Sequence, residues 1–139
     1  MIKALIDTNV ILDFFLSRQP FYQDAKIIFQ KIDDEKVEGY ISASSVTDIF
    51  YLLQKEQGRL YATNCILKLI RIIEVSGVDK NTIINALLLD WQDFEDAVQA
   101  QVAIENEIDV VITRNSKDYQ SLKKCLILTP QSFIQWLER

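Results

Sequence analysis

Five aspartates carry the first functional signal: Asp7, Asp48, Asp93, Asp96 and Asp118. Asp7 closes the apolar run Ile2 to Ile6 with no lysine or arginine beside it. Asp48 falls in the first turn or so of a helix-patterned stretch. Asp93 and Asp96 are three apart, so on a helix they share a face near its N-terminus. Asp118 follows the apolar run Asp109 to Thr113, within Thr113-Arg114-Asn115-Ser116-Lys117-Asp118-Tyr119. Gathered in one crevice, such carboxylates repel and cannot all ionise without a cation. A donor set of oxygens alone selects a hard, octahedral ion, Mg2+ or Mn2+. The reactions served by such sites are mainly phosphoryl transfer and phosphodiester hydrolysis. Each residue also has a plainer reading. Asp7 reads as a turn residue, Asp48 as a surface or capping residue, Asp93 as an N-cap, and Asp118 as a partner of Lys117 or Arg114.

Composition narrows the chemistry further. The chain has 139 residues, 49% hydrophobic and 25% charged, with 3 Gly and 2 Pro. That is a single domain over residues 1–139, with enough apolar content for a core and no disordered or collagen-like character. It contains no histidine, which excludes a Ser-His-Asp triad, a Cys-His dyad and a histidine general base. Cys65 and Cys125 each sit among apolar neighbours and read as reduced core cysteines, which fits the cytoplasm. No apolar run approaches the roughly 20 residues of a membrane span, so no membrane partner is expected. Asp7 interrupts the first run too early for a signal peptide. The net charge of −5 argues against nucleic-acid binding through a basic surface. It does not argue against approach to phosphate through a bound metal. Charge is also uneven: residues 90–109 carry seven acids and no base. Arg114, Lys117, Lys123 and Lys124 then follow against Asp118 alone.

The elements that must position these groups alternate between strand and helix. Strands are expected over Ile2 to Ile6, Gly39 to Ile41, Ile72 to Val75, Asp109 to Thr113 and Leu126 to Leu128. Helices are expected over Asn9 to Leu16 and from Pro20 towards Asp33. A third begins at a Ser44 or Ser45 cap and ends at Gly58, and another covers Leu60 to Leu69. Later helices start at Asp79, at Asp93 and at Thr129-Pro130. This order predicts a three-layer α/β/α sandwich on a central, mostly parallel five-stranded sheet. Ligands in such sheets bind beyond the carboxyl ends of the strands, where strand order reverses. That rule selects Asp7 and the Thr113-Arg114-Asn115 segment.

At these residues the chain resembles the PIN-domain ribonucleases, in particular the toxins of bacterial toxin–antitoxin pairs. Asp7-Thr8-Asn9-Val10-Ile11-Leu12-Asp13 looks like their opening motif. Ile41-Ser42-Ala43-Ser44-Ser45-Val46-Thr47-Asp48-Ile49 looks like the second, Asp93-Phe94-Glu95-Asp96-Ala97 the third, and Val111-Ile112-Thr113-Arg114-Asn115 the fourth. The resemblance covers essentially the whole chain. It implies catalytic roles for Asp7, Asp48, Asp96 and Asn115, and metal ligation by Asp7, Asp48, Asp93, Asp96 and Asp118. Asp48 stands where many members have Glu. Asn115 stands where the toxin branch commonly has Asp, and either Asn115 or Asp118 is the fourth site residue. Thr8, Asn9 and Thr113 would orient carboxylates or water.

The implied reaction is hydrolysis of single-stranded RNA, assisted by Mg2+ or Mn2+, with in-line attack and a 5′-phosphate product. Arg114, Lys117, Lys123 and Lys124 are the expected backbone contacts. The resemblance also implies a homodimer and a small antitoxin protein as partner. Other strand-end aspartate enzymes fit less well. A haloacid-dehalogenase-type phosphatase needs a second Asp where Asn9 stands, and a receiver domain needs a phosphoacceptor Asp at the end of its third strand. A P-loop enzyme needs a GxxxxGK that Gly39, Gly58 and Gly77 do not supply. The remaining alternative is a PIN-fold module that binds RNA or a protein without cutting.

Overall fold

The fold is described from a computed structural model covering residues 1–119, 122 and 125–139. Five strands form one sheet: β1 (Ile2–Ile6), β2 (Val37–Ser42), β3 (Ile73–Ser76), β4 (Val110–Ile112) and β5 (Leu126–Leu128). Their spatial order is β3-β2-β1-β4-β5, and every pairing is parallel. Seven helices lie among the described residues. They are α1 (Thr8–Phe15), α2 (Tyr22–Asp33), α3 (Ala43–Gln57), α4 (Arg59–Ile72), α5 (Lys80–Leu88), α6 (Phe94–Glu105) and α7 (Pro130–Glu138). A 3-10 turn, Ser116–Tyr119, lies between β4 and β5.

Side chains alternate across the strands and split the core in two. Ala4, Ile6, Val110 and Ile112 face one side, with Val10, Ile28, Ile49, Leu69 and Phe133 from α1 to α4 and α7. Leu5 and Val111 face the other, with Ala86 of α5 and Ala97, Ala100 and Ala103 of α6. The register keeps the faces aligned: Ala4 pairs with Val110, Leu5 with Val111 and Ile6 with Ile112. This is the expected three-layer sandwich. Each fully buried aliphatic side chain contributes about 1.5–3 kcal/mol.

Several boundaries differ from the sequence reading. Ser42, not Ser44 or Ser45, caps α3, and its hydroxyl accepts from the Ser45 backbone N–H at 3.2 Å. The cause is that β2 runs on to Ser42 and abuts the helix directly. Pro20 lies outside α2, which starts at Tyr22. Gly58 ends α3 as expected, at a φ of +90° that side chains rarely adopt. Asp79, Asp93 and Thr129 cap α5, α6 and α7. Both cysteines are free, but only Cys65 is buried. Cys125 is half-buried, because it leads into the edge strand β5.

Candidate active site

The order β3-β2-β1-β4-β5 reverses direction between β1 and β4, so the sheet opens a crevice at their carboxyl ends. In a parallel sheet that edge also receives helix N-termini, whose unpaired N–H groups favour negative charge. Asp7, Asp48, Asp93, Asp96, Asn115 and Asp118 all line one cavity there, of about 450 Å³. Asn9, Tyr51 and Leu52 complete much of its wall, and the described lining holds no lysine or arginine.

Asp7 is the best-fixed of the carboxylates. It follows β1, donates its backbone N–H to Ile112 O at 3.0 Å, and is the N-cap of α1. One oxygen accepts from the Thr8 N–H at 2.8 Å and the other from the Thr113 hydroxyl at 2.7 Å. Burial pushes its pKa up, and the bonds from Thr113 and Thr8 oppose that rise. Thr113, fully buried, also accepts from the Asn115 N–H at 3.1 Å. The Thr8 hydroxyl turns away, to Ser45 Oγ at 3.1 Å, and Ser45 in turn accepts from Ser42 at 3.0 Å. These bonds tie the start of α1 to the start of α3, the helix that carries Asp48. Asp48 is the sixth residue of α3, a little deeper than expected, and is exposed.

The third acidic group sits on the first turn of α6. Asp93 is both cap and cavity wall, and its Oδ1 accepts from the Asp96 N–H at 3.1 Å. The Asp96 carboxyl is pushed up to about 7, first by burial and then by the charges of Asp93, Asp7 and Asp118. The Tyr119 hydroxyl donates to it at 3.4 Å, a weak contact. Glu95, which the sequence reading passed over, also lines the cavity. Its pKa is raised by burial and by Asp48, Asp93 and Asp7.

The described basic residues lie elsewhere. Arg114 is engaged inward: its Nε lies 3.0 Å from the buried Asp13 carboxylate, and its guanidinium carbon 4.0 Å from the Phe21 ring centre. Arg18 joins the same carboxylate at 3.7 Å. These are the ion pairs among the described residues, so the plainer reading of Asp118, as a partner of Lys117 or Arg114, is not met there. The reason is that Asp13, 1% exposed, has no solvent and needs the cation more. Lys117 is exposed on the 3-10 turn. Lys123 and Lys124 lie outside the described residues.

The donor chemistry fits a divalent cation. Every candidate ligand is an oxygen, and Asp96, Asp7 and Glu95 all have raised pKa values that a cation would relieve. Among the described residues no three acidic side chains already stand as a metal-holding group. Asp7 is held by Thr8 and Thr113, whereas the Asp96 carboxyl has, among these residues, only the weak contact from Tyr119.

A family model, the PIN domain, matches residues 3–117. The chain therefore belongs to the PIN-domain family. No curated protein matches it in sequence. Solved structures share the fold. DNA-bound VapBC from Salmonella typhimurium superposes with a TM-score of 0.71 at 17% identity, over 94% of this chain and 99% of that one. VapBC-1 from nontypeable Haemophilus influenzae gives 0.70 at 17%, over the same shares, 94% and 99%. VapC20 from Mycobacterium tuberculosis, a sarcin-ricin loop cleaving toxin, gives 0.68 at 15%, over 87% and 97%. Among the described residues, no helix is long and apolar enough to cross a membrane.

Proposed function

We propose that this chain is a metal-dependent endoribonuclease acting on single-stranded RNA, and the toxin of a bacterial toxin–antitoxin pair. The observation that carries the reading is the cavity at the strand-order reversal, walled among the described residues by six acidic side chains and no basic one. Asp7, Asp48 and Asp96, with Asp93 and Asp118 beside them, would hold Mg2+ or Mn2+. When bound, the ion supplies charge neutralisation at the scissile phosphate and activation of the attacking water. Thr113 and the Thr8 N–H orient Asp7. Asn115 offers one neutral oxygen, and Asn9 a further polar group at the rim. No side-chain nucleophile is required, which suits a chain without histidine.

An antitoxin partner is supported by the toxin–antitoxin complexes that share the fold. A homodimer and a cytoplasmic location belong to the same proposal. Purified protein with a single-stranded RNA oligonucleotide tests it. Turnover should require Mn2+ or Mg2+, stop with chelator, and fall at least about 100-fold in Asp7→Asn and in Asp96→Asn, since metal-centred charge stabilisation is worth several kcal/mol. Asn115→Ala should cost less. Binding without turnover at saturating Mn2+ would establish the non-cutting module instead.

A further inference from the structure

One wall of the acidic cavity is apolar. Tyr51 lies three residues beyond Asp48 on α3, and so on the same helix face. It lines the cavity with Leu52, yet its side chain is 64% exposed. Among the described residues it stacks on no other ring, whereas Phe14, Phe15, Phe29, Trp91 and Tyr119 all have aromatic partners. An aromatic ring left this open beside a polar cavity has surface to offer a ligand.

The surrounding charge limits what that ligand presents. The described lining has no cation to hold a phosphate, and Arg114 is occupied by Asp13. Away from a bound metal, the cavity repels a polynucleotide backbone. An uncharged base has no such penalty. Stacking on an aromatic ring is the sequence-tolerant way to hold an unpaired base without phosphate contacts.

We infer that Tyr51 is the stacking platform for one unpaired base next to the phosphate cleaved at Asp7, Asp48 and Asp96. The inference rests on the ribonuclease reading. A base held in a duplex cannot leave its pair to reach the ring without loss of pairing, so this contact builds single-strand selection into the site.

The test compares kcat/KM for wild type, Tyr51→Ala, Tyr51→Leu and Tyr51→Phe on one single-stranded RNA with Mn2+. Alanine and leucine should lose about tenfold to 100-fold, and phenylalanine should retain activity, because stacking needs the ring and not the hydroxyl. Leucine keeps bulk and helix propensity, which covers poor folding of the alanine variant. An abasic nucleotide is then moved along the substrate. At one position it should penalise wild type by a similar factor and Tyr51→Ala not at all, the signature of a direct pair. Normal turnover by Tyr51→Ala, or equal abasic penalties in both proteins, overturns the stacking and leaves the ring to a protein partner. Absence of turnover by wild type overturns the ribonuclease reading itself, before any variant is compared.

Discussion

The Thr113 hydroxyl donates to Asp7 Oδ2 at 2.7 Å, joining two residues 106 positions apart in the chain. The Thr113 hydroxyl oxygen also accepts from the Asn115 N–H at 3.1 Å. One buried hydroxyl thus fixes the carboxylate that ends β1 and the backbone that leaves β4. It can do so because β1 and β4 are neighbours in register, Ile6 beside Ile112.

Thr113→Val keeps the shape and removes both bonds. It should cost about 1–3 kcal/mol, the range for leaving buried polar groups unpaired, and it should lower turnover by releasing Asp7. Thr113→Ser keeps the hydroxyl and should preserve turnover. Thermal melts and RNA cleavage measured on both variants check this. A valine variant with wild-type values in both would remove Thr113 from the site.

Metal and Asp7 should act on stability in opposite directions. A cation that binds only the native state stabilises it by about 2.7 kcal/mol at 100 times Kd, a rise of several degrees in Tm. Asp7→Asn should melt above wild type in chelator, because it removes a half-buried charge that is poorly solvated and repelled by Asp118. It should gain less from Mn2+. A mutant that is less stable under both conditions would mark Asp7 as structural only.

The metal-free protein should lose stability as pH rises from about 4 to about 7. Asp96 has its pKa raised from 3.8 to about 7 in the folded state. Below 3.8 it is protonated in both states, and the folded form bears no charge penalty. Between the two values only the unfolded chain releases the proton, so folding becomes progressively less favourable. Above about 7 the penalty is complete. Asp7 and Glu95 are raised too and act with the same sign. No histidine titrates in this window. Melts in chelator at pH 5 and pH 8 should show the decline, and Asp96→Asn should flatten it. A stability that increases over this range would contradict the assignment.

Arg114→Ala should act mainly on stability. It strips the principal cation from Asp13, which is 1% exposed. Loss of one partner from a buried pair costs about 3–5 kcal/mol, and the remaining Arg18 should hold the loss near the lower end. A variant that melts like wild type but binds RNA weakly would instead make Arg114 a phosphate contact.

Much of the architecture was legible because local patterns encode it. Apolar runs marked all five strands, and Asp79, Asp93 and Thr129 were readable as caps from their places ahead of helical stripes. Alternation of strand and helix dictated the parallel sheet, and the strand-end rule pointed to Asp7 and to the Thr113–Asn115 segment. Glu95 was missed for a geometric reason. Residues adjacent in a helix do not share a face, so the spacing paired Asp93 with Asp96 and passed over the acid between them. The N-terminus of α6 meets the cavity, however, and Asp93, Glu95 and Asp96 all line it.

What the amino-acid order determined by itself was the kind of each element and the oxygen-only chemistry available at their ends. Tertiary structure alone decided which groups meet. The turn of Arg114 towards Asp13, the bond from Thr8 to Ser45 and the meeting of Tyr51 with Asp7 and Asp96 around one cavity are relations between distant segments. They depend on the order in which the strands pack and on which buried charge is most costly to leave unpaired. Neither is a property of any local stretch of sequence.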